Sequence, residues 1–265
     1  MRILVTGAGG GIGRAICMRL TADARARGEE AAVAAVDLRT GAALDESVGM
    51  LRAAGARVVP LVGNLDDPAV PERLVADAVA GLGALDVLVS NAGVNAPAPL
   101  KDLALEDWDR VMAVNTRPTW LLAKAAHPHL AATRGCIVSI ASMSGMQPHT
   151  GLGAYSASKA ALIILTKQIA QEWAADGIRA NSVSPGFVES PMTADLYADP
   201  VVRRSRETFV PLGRIGRPEE IAAVVSFLAG PDARYVTGQN LLTDGGLCES
   251  ILDKTPGRPS AGPKA

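Results

Sequence analysis

The stretch "RILVTGAGGGIG", Arg2 to Gly13, decides how the rest of the chain is read. Its first half, "RILVT", is a short apolar run of strand type. Its second half, "TGAGGGIG" at 6–13, is rich in glycine, and a helical pattern follows from Ile12 towards Ala26. Glycines at 7, 11 and 13 permit a tight turn, let the backbone approach a pyrophosphate, and let a helix pack close to a sheet. The N–H groups at the start of that helix then face the phosphates. A glycine string alone is a weak signal. Between a first strand and a first helix it reads as a dinucleotide site.

Outward from that turn, the pattern repeats. Apolar runs at 32–37, 57–62, 86–90, 136–142 and 178–184 read as strands, with a last short strand in "QNLLTDGG". Helical patterns lie between them, near 41–54, 69–82, 106–130, 154–175 and 218–229, with a short one near 192–198. Strands of continuous Val, Ile, Leu and Ala are buried on both faces, and helical crossovers make them parallel. The fold class is therefore α/β, a doubly wound parallel sheet.

Asp37 ends the second of these strands. A carboxylate there accepts the ribose hydroxyls of an adenosine half and repels a 2′-phosphate, which favours NAD over NADP. No basic side chain precedes Gly11, since Gly10 stands there, but the nearby Arg39 could turn toward a 2′-phosphate.

"GAYSASKAAL", at 153–162, places Tyr155 and Lys159 four residues apart, so they share a helix face. Amphipathic packing alone would account for such a pair. The chemical reading is that the ammonium holds down the phenol pKa. Moving it from about 10 to about 7–8 takes roughly 3–4 kcal/mol. One cation at about 5 Å in a medium of dielectric about 20 supplies roughly 3 kcal/mol. In "SIASMSG" the alternation of a strand does not choose among Ser139, Ser142 and Ser144. Pro118 clashes with the carbonyl four residues earlier, that of Val114, so the helix is expected to kink beside Asn115.

These motifs, in this order, resemble the short-chain dehydrogenase/reductase family over residues 2–247: "TGAGGGIG", "SNAG" (90–93), Asn115 in "VMAVNT", Ser142, "YSASK" (155–159), "SPGFVESPM" (184–192) and "TGQNLLTDGG" (237–246). The resemblance implies a Rossmann-type sheet of about seven strands in a single domain over 1–247. It implies hydride transfer between NAD(H) and a secondary alcohol or ketone, with Asn115, Ser142, Tyr155 and Lys159 as the catalytic set. Cofactor contacts are implied at Gly7, Gly10, Gly11, Ile12 and Gly13, at Asp37 and Leu38, and at Asn64 and Leu65. Further contacts are implied at Asn91, Ala92 and Gly93, at Tyr155 and Lys159, and at Pro185, Gly186, Val188 and Ser190. Ser90 stands where the family commonly has asparagine, Asn64 where aspartate is frequent, and Ser190 where threonine is common. An NADPH-dependent 3-oxoacyl-(carrier-protein)-type ketoreductase and a nucleotide sensor without chemistry are the rival readings. Asp37 speaks against the first and the complete Asn–Ser–Tyr–Lys set against the second. The family also implies a homotetramer built on the helices at 106–130 and 154–175.

Substrate contacts are expected from 94–100, 143–152, Phe187 and 191–213, which carry enough Met, Leu and aromatic residues for an apolar pocket. His149 and Gln147 either read a polar group or stand in solvent. Arg203, Arg204 and Arg206 either meet an acidic substrate tail or form a solvated face.

The bulk properties fit this reading. A net charge of −1 gives no reason to expect nucleic acid or an anionic membrane as partner. Cys17, Cys136 and Cys248 have neither disulfide-framework nor metal-ligand spacing. The apolar run Ile3-Leu4-Val5 stops at Thr6-Gly7, too short for a signal segment, and the expectation is a cytoplasmic protein. The tail at 248–265, rich in Pro and Gly, is expected to be poorly ordered.

Overall fold

The computed structural model describes residues 1–250. Its strands are β1 (Arg2–Thr6), β2 (Ala32–Asp37), β3 (Arg57–Val62), β4 (Val87–Ser90), β5 (Cys136–Ile140), β6 (Arg179–Pro185) and β7 (Asn240–Thr243). They form one sheet in the order β3-β2-β1-β4-β5-β6-β7. Every pairing is parallel; Leu4 of β1, for example, lies between Ala34 of β2 and Leu88 of β4.

The crossovers are α1 (Gly11–Ala26), α2 (Ala42–Ala53), α3 (Val70–Leu82), α4 (Leu105–Asn115), α5 (Arg117–Thr133) and α6 (Tyr155–Glu172). After β6 come the short α7 (Ala194–Ala198) and α8 (Pro200–Glu207), then α9 (Pro218–Ala229). Because side chains alternate along a strand, each strand feeds two cores. Ile3, Val5, Val33, Val87 and Val89 pack with α1, α2 and α9. Leu4, Ala34, Val36 and Leu88 pack with α3, α5 and α6. That is why these strands carry no polar alternation.

The chain reverses its direction of winding between β1 and β4, and a crevice opens there at the C-terminal ends of the strands. Thr6 ties the two strand ends together. Its hydroxyl accepts from the backbone N–H groups of Asn91 (3.0 Å) and Ala92 (3.1 Å).

Three expectations need adjustment. The helix expected over 106–130 is two helices, broken at Thr116 (φ −119°, ψ −56°). Pro118, in the first turn of α5, has no N–H to continue the α4 ladder. β5 ends at Ile140 rather than 142, which releases Ser142 from the sheet. The tail at 248–265 falls mostly outside the described residues. Its first part is held down: the Cys248 N–H donates to Asp244 Oδ2 at 2.7 Å, and Ser250 is buried. No helix among the described residues is long and apolar enough to cross a membrane.

Candidate active site

A cleft of about 500 Å³ lies over the crevice. Its floor is the β1–α1 turn. Gly7 and Gly11 have positive φ (67° and 50°), and Gly10 is extended at the head of α1. Gly13 is required by space: a Cβ there would stand 1.9 Å from the Gly7 carbonyl oxygen. No side chain caps α1, so its first N–H groups are open to an anion. Asn91 holds the turn from β4, its Nδ2 donating to the carbonyls of Thr6 (2.9 Å) and Gly7 (3.3 Å).

Asp37 stands beside the turn. Its Oδ2 accepts from the Gly9 N–H and its Oδ1 from the Leu38 N–H, both at 2.7 Å. The Gly63 N–H donates to its backbone carbonyl, tying in the end of β3. The other residues expected at the adenosine end are less uniform. Leu38 is exposed and Leu65 is buried in the core. The Asn64 Oδ1 accepts from the Asp66 N–H at 3.1 Å and so shapes its own turn. Arg39 is exposed and has no ion-pair partner among the described residues. None of these adenosine-end residues lines the cleft, whereas Gly7, Gly10 to Gly13, Asn91 to Gly93, Pro185, Gly186, Val188 and Ser190 all do.

On the opposite wall, Ser142 leaves β5 in extended conformation (φ −169°), and Tyr155 opens α6. Ser142 accepts the Ser144 N–H at 3.1 Å, and its side chain lies close enough to the Tyr155 phenol to favour the phenolate. Lys159, one turn below Tyr155, is buried, donates to the Ile140 carbonyl at 2.8 Å, and stands 5.8 Å from the centre of the Tyr155 ring. The three candidate serines now separate. Ser139 faces the core and accepts from Thr166 Oγ1 at 3.0 Å, while Ser142 and Ser144 line the cleft. Asn115 stands behind the wall rather than in it. It binds both backbone groups of Val94 and donates to the Ser158 hydroxyl at 3.0 Å.

The electrostatics differ from the expectation that Lys159 depresses the Tyr155 pKa. Burial pushes Tyr155 up, and the neighbouring Ser142 side chain offsets only part of that rise. Burial also pushes Lys159 down to about 8. Desolvation disfavours each charged form, and the Lys159 ammonium is already committed to a backbone carbonyl. In the protein by itself the pair is therefore a protonated phenol beside an ammonium that gives up its proton more readily than an ordinary lysine does.

A sequence profile of the family described as enoyl-(acyl carrier protein) reductase matches residues 7–248. The short-chain dehydrogenase/reductase eriH of Hericium erinaceus is 38% identical over 248 residues, covering 92% of this chain and 96% of its own. The 3-oxoacyl-[acyl-carrier-protein] reductase of Thermotoga maritima is 39% identical, with the same two coverages. Among solved structures, a candidate 2-deoxy-d-gluconate 3-dehydrogenase from Agrobacterium tumefaciens with bound NADP superposes with TM-score 0.83. It is 34% identical and covers 93% of this chain and 96% of its own. The chain belongs to the short-chain dehydrogenase/reductase family. It is an oxidoreductase of the alcohol–ketone, hydride-transferring kind.

As in other members of this family, a nicotinamide dinucleotide is the implied cofactor, and the residues present fit one. The glycine cradle that a Cβ would fill, the uncapped head of α1 and the Asp37 carboxylate are what its phosphates and ribose need.

Sequence reasoning overlooked two polar residues here. Thr6 joins the strand ends. Thr193 lines the cleft, and its Oγ1 accepts the Ser190 N–H at 3.0 Å. The only available signal for Thr6 was its place directly before Gly7. Of the expected substrate segments, Met143, Leu152, Phe187, Met192, Leu196 and Tyr197 reach the cleft. Met146 and Phe209 are exposed and do not, and of 94–100 only Asn95 does.

Proposed function

We propose that the protein is an NAD(H)-dependent dehydrogenase of secondary alcohols that reduces ketones in the reverse direction. The observation that carries this reading is the Ser142–Tyr155 pair on the cleft wall with the Lys159 ammonium one turn beneath it.

When bound, the nicotinamide accepts hydride in alcohol oxidation and donates it in ketone reduction. Gly7, Gly10 to Gly13, Asn91 to Gly93, Pro185, Gly186, Val188 and Ser190 would hold the cofactor along the cleft, with Leu38, Asn64 and Leu65 at its adenine end. Asp37 would accept the ribose hydroxyls, and this supports NAD over NADP. Tyr155 takes the proton from the substrate hydroxyl as general base and returns it to the carbonyl oxygen as general acid. Ser142 uses a lone pair for the Ser144 N–H, so its own proton is free for the substrate oxygen, whose developing charge it stabilises. Lys159 would resupply the proton from beneath the phenol. Asn115 positions the loop that faces Lys159 rather than touching the substrate. Exposed apolar residues on α4, α5 and α6 (Leu105, Trp108, Trp120 and Ile164) support assembly into a homotetramer, which light scattering would test.

Two experiments test the reading. Tyr155→Phe should lower turnover of every alcohol at least about a hundredfold, while NADH still binds. Fluorescence titration with NADH and NADPH should give the tighter constant for NADH. Tighter NADPH would give Arg39 the decisive part, and binding of neither would overturn the cofactor assignment.

A further inference from the structure

The arginines of α8 face different ways. Arg203 is held by Glu189 at 2.6 Å and Glu207 at 3.1 Å. Arg204 stands in solvent. Arg206 turns inward, lines the cleft, and has no carboxylate partner among the described residues. Its guanidinium lies 4.6 Å from the centre of the Phe187 ring and 5.9 Å from that of Tyr197. Stacking on rings fixes the plane of a guanidinium and leaves its N–H edge for a ligand.

Tyr197 adds an independent observation. It lines the same cleft, is only 8% exposed, and its hydroxyl has no hydrogen-bond partner of good geometry among the described residues. Burial raises the Tyr197 pKa, and Arg206, its polar neighbour, offsets part of that rise without reaching the hydroxyl in full hydrogen-bond geometry. A buried hydroxyl is normally satisfied, so this one awaits a ligand.

His149 links this end of the cleft to the catalytic wall. Its Nδ1 stands 3.5 Å from the Ser144 hydroxyl, and its backbone N–H donates to Ser156 Oγ, beside Tyr155. Burial lowers the His149 pKa, and the Arg206 charge adds to that lowering.

We propose that Arg206 and Tyr197 form an oxyanion subsite in the substrate half of the cleft. The substrate is then a secondary alcohol that carries an anionic group, a carboxylate or a phosphate ester, near the reacting carbon. The guanidinium fork matches either oxyanion with two parallel N–H bonds, and the Tyr197 hydroxyl supplies a third donor. A neutral alcohol would leave the Arg206 charge without a counter-charge. The inference rests on the alcohol–ketone reading of the site.

The test compares 3-hydroxybutyrate, its methyl ester and glycerol 3-phosphate in wild type, Arg206→Met, Arg206→Lys and Tyr197→Phe. Wild type should favour one of the two anions over the ester in kcat/KM. Arg206→Met should cut that preference roughly ten- to a hundredfold, through KM, with the ester changed less than about threefold. Arg206→Lys should restore part of the preference, and Tyr197→Phe should lose a smaller share. The preferred anion tells carboxylate from phosphate. A wild-type preference for the ester, or equal losses for all three compounds in Arg206→Met, overturns the proposal. A second readout needs no turnover: the preferred anion should raise the melting temperature of wild type and of Tyr155→Phe, but not of Arg206→Met. Anion binding through Arg206 without oxidation of any alcohol would sink the dehydrogenase reading and keep the subsite. Absence of both preference and binding sinks the subsite alone if the ester is oxidised.

Discussion

The Asn115 side chain clasps Val94 from both sides: the Val94 N–H donates to Oδ1 at 2.8 Å, and Nδ2 donates to the Val94 carbonyl at 2.9 Å. The break at Thr116 ends α4 at this point and lets Asn115 face the loop after β4. Asn115→Ala would leave both Val94 groups and the Ser158 hydroxyl short of a partner. The expected loss is about 2–3 kcal/mol in urea unfolding, with a fall in kcat because that loop forms one rim of the cleft. Unchanged stability would show that Asn115 does not hold the loop.

Lys159 should cost stability in the protein without cofactor. Its pKa falls from 10.5 to about 8 on folding, so the fold binds this proton less tightly than the unfolded chain does. Stability therefore rises with pH between about 8 and 10.5, and the burden is full below that window. Lys159→Met removes the burden but also the donor to Ile140. The variant should be more stable than wild type at pH 7 by about 1–3 kcal/mol, and its advantage should shrink as pH is raised toward 9.5. Tyr155, whose pKa rises on folding, opposes this only above its ordinary value of 10. Turnover should fall at least about a hundredfold. Thermal unfolding at several pH values, read beside kcat, checks both halves; an advantage that grows with pH would contradict the linkage.

Much of this was legible in the sequence because the relevant physics is local. β1, β2 and β3 follow their apolar runs residue for residue; β1 and β2 are buried on both faces and have no polar position to blur their ends, while β3 is a partly exposed edge strand. Tyr155 and Lys159 share a face because helix geometry puts i and i+4 together. Pro118 announced the break at Thr116. What stayed hidden depends on neighbours distant in the chain. The direction of the Tyr155 shift follows from burial by other elements. Arg203 and Arg206 lie on one short helix, and only the placement of Glu189 and Phe187 makes the first an ion pair and the second a cleft residue. The Asp37–Gly9 bond joins the end of β2 to the β1–α1 turn, which no pattern in either segment could pair.

Asp37 sets the coenzyme preference in the proposed function, and its removal should be visible in a ratio. Asp37→Ser loses a charged acceptor for the ribose hydroxyls and also lifts the repulsion of a 2′-phosphate. The KM for NAD⁺ should rise roughly ten- to a hundredfold, while kcat/KM for NADP⁺ should rise with Arg39 nearby. Steady-state kinetics with both coenzymes measures the ratio. Equal losses with both would mean that the carboxylate serves only the turn through the Gly9 N–H.

Two glycines of the same turn should respond in opposite ways to the same substitution. A Cβ on Gly13 would stand 1.9 Å from the Gly7 carbonyl oxygen, and backbone cannot retreat that far without opening the turn. Gly13→Ala should therefore lose several kcal/mol or fail to fold, roughly 3 kcal/mol or more. A Cβ on Gly9 would meet the Asp37 Oδ2 at 2.6 Å, the free end of a side chain that can swing aside. Gly9→Ala should keep its stability within about 1 kcal/mol. Its cost should appear in binding: the displaced carboxylate weakens NADH by several-fold and NADPH by less. Chemical unfolding together with the two titrations separates these outcomes. Equal destabilisation of both variants would show that the turn is rigid at Gly9 too, and that Asp37 is braced by the fold rather than poised for a ligand.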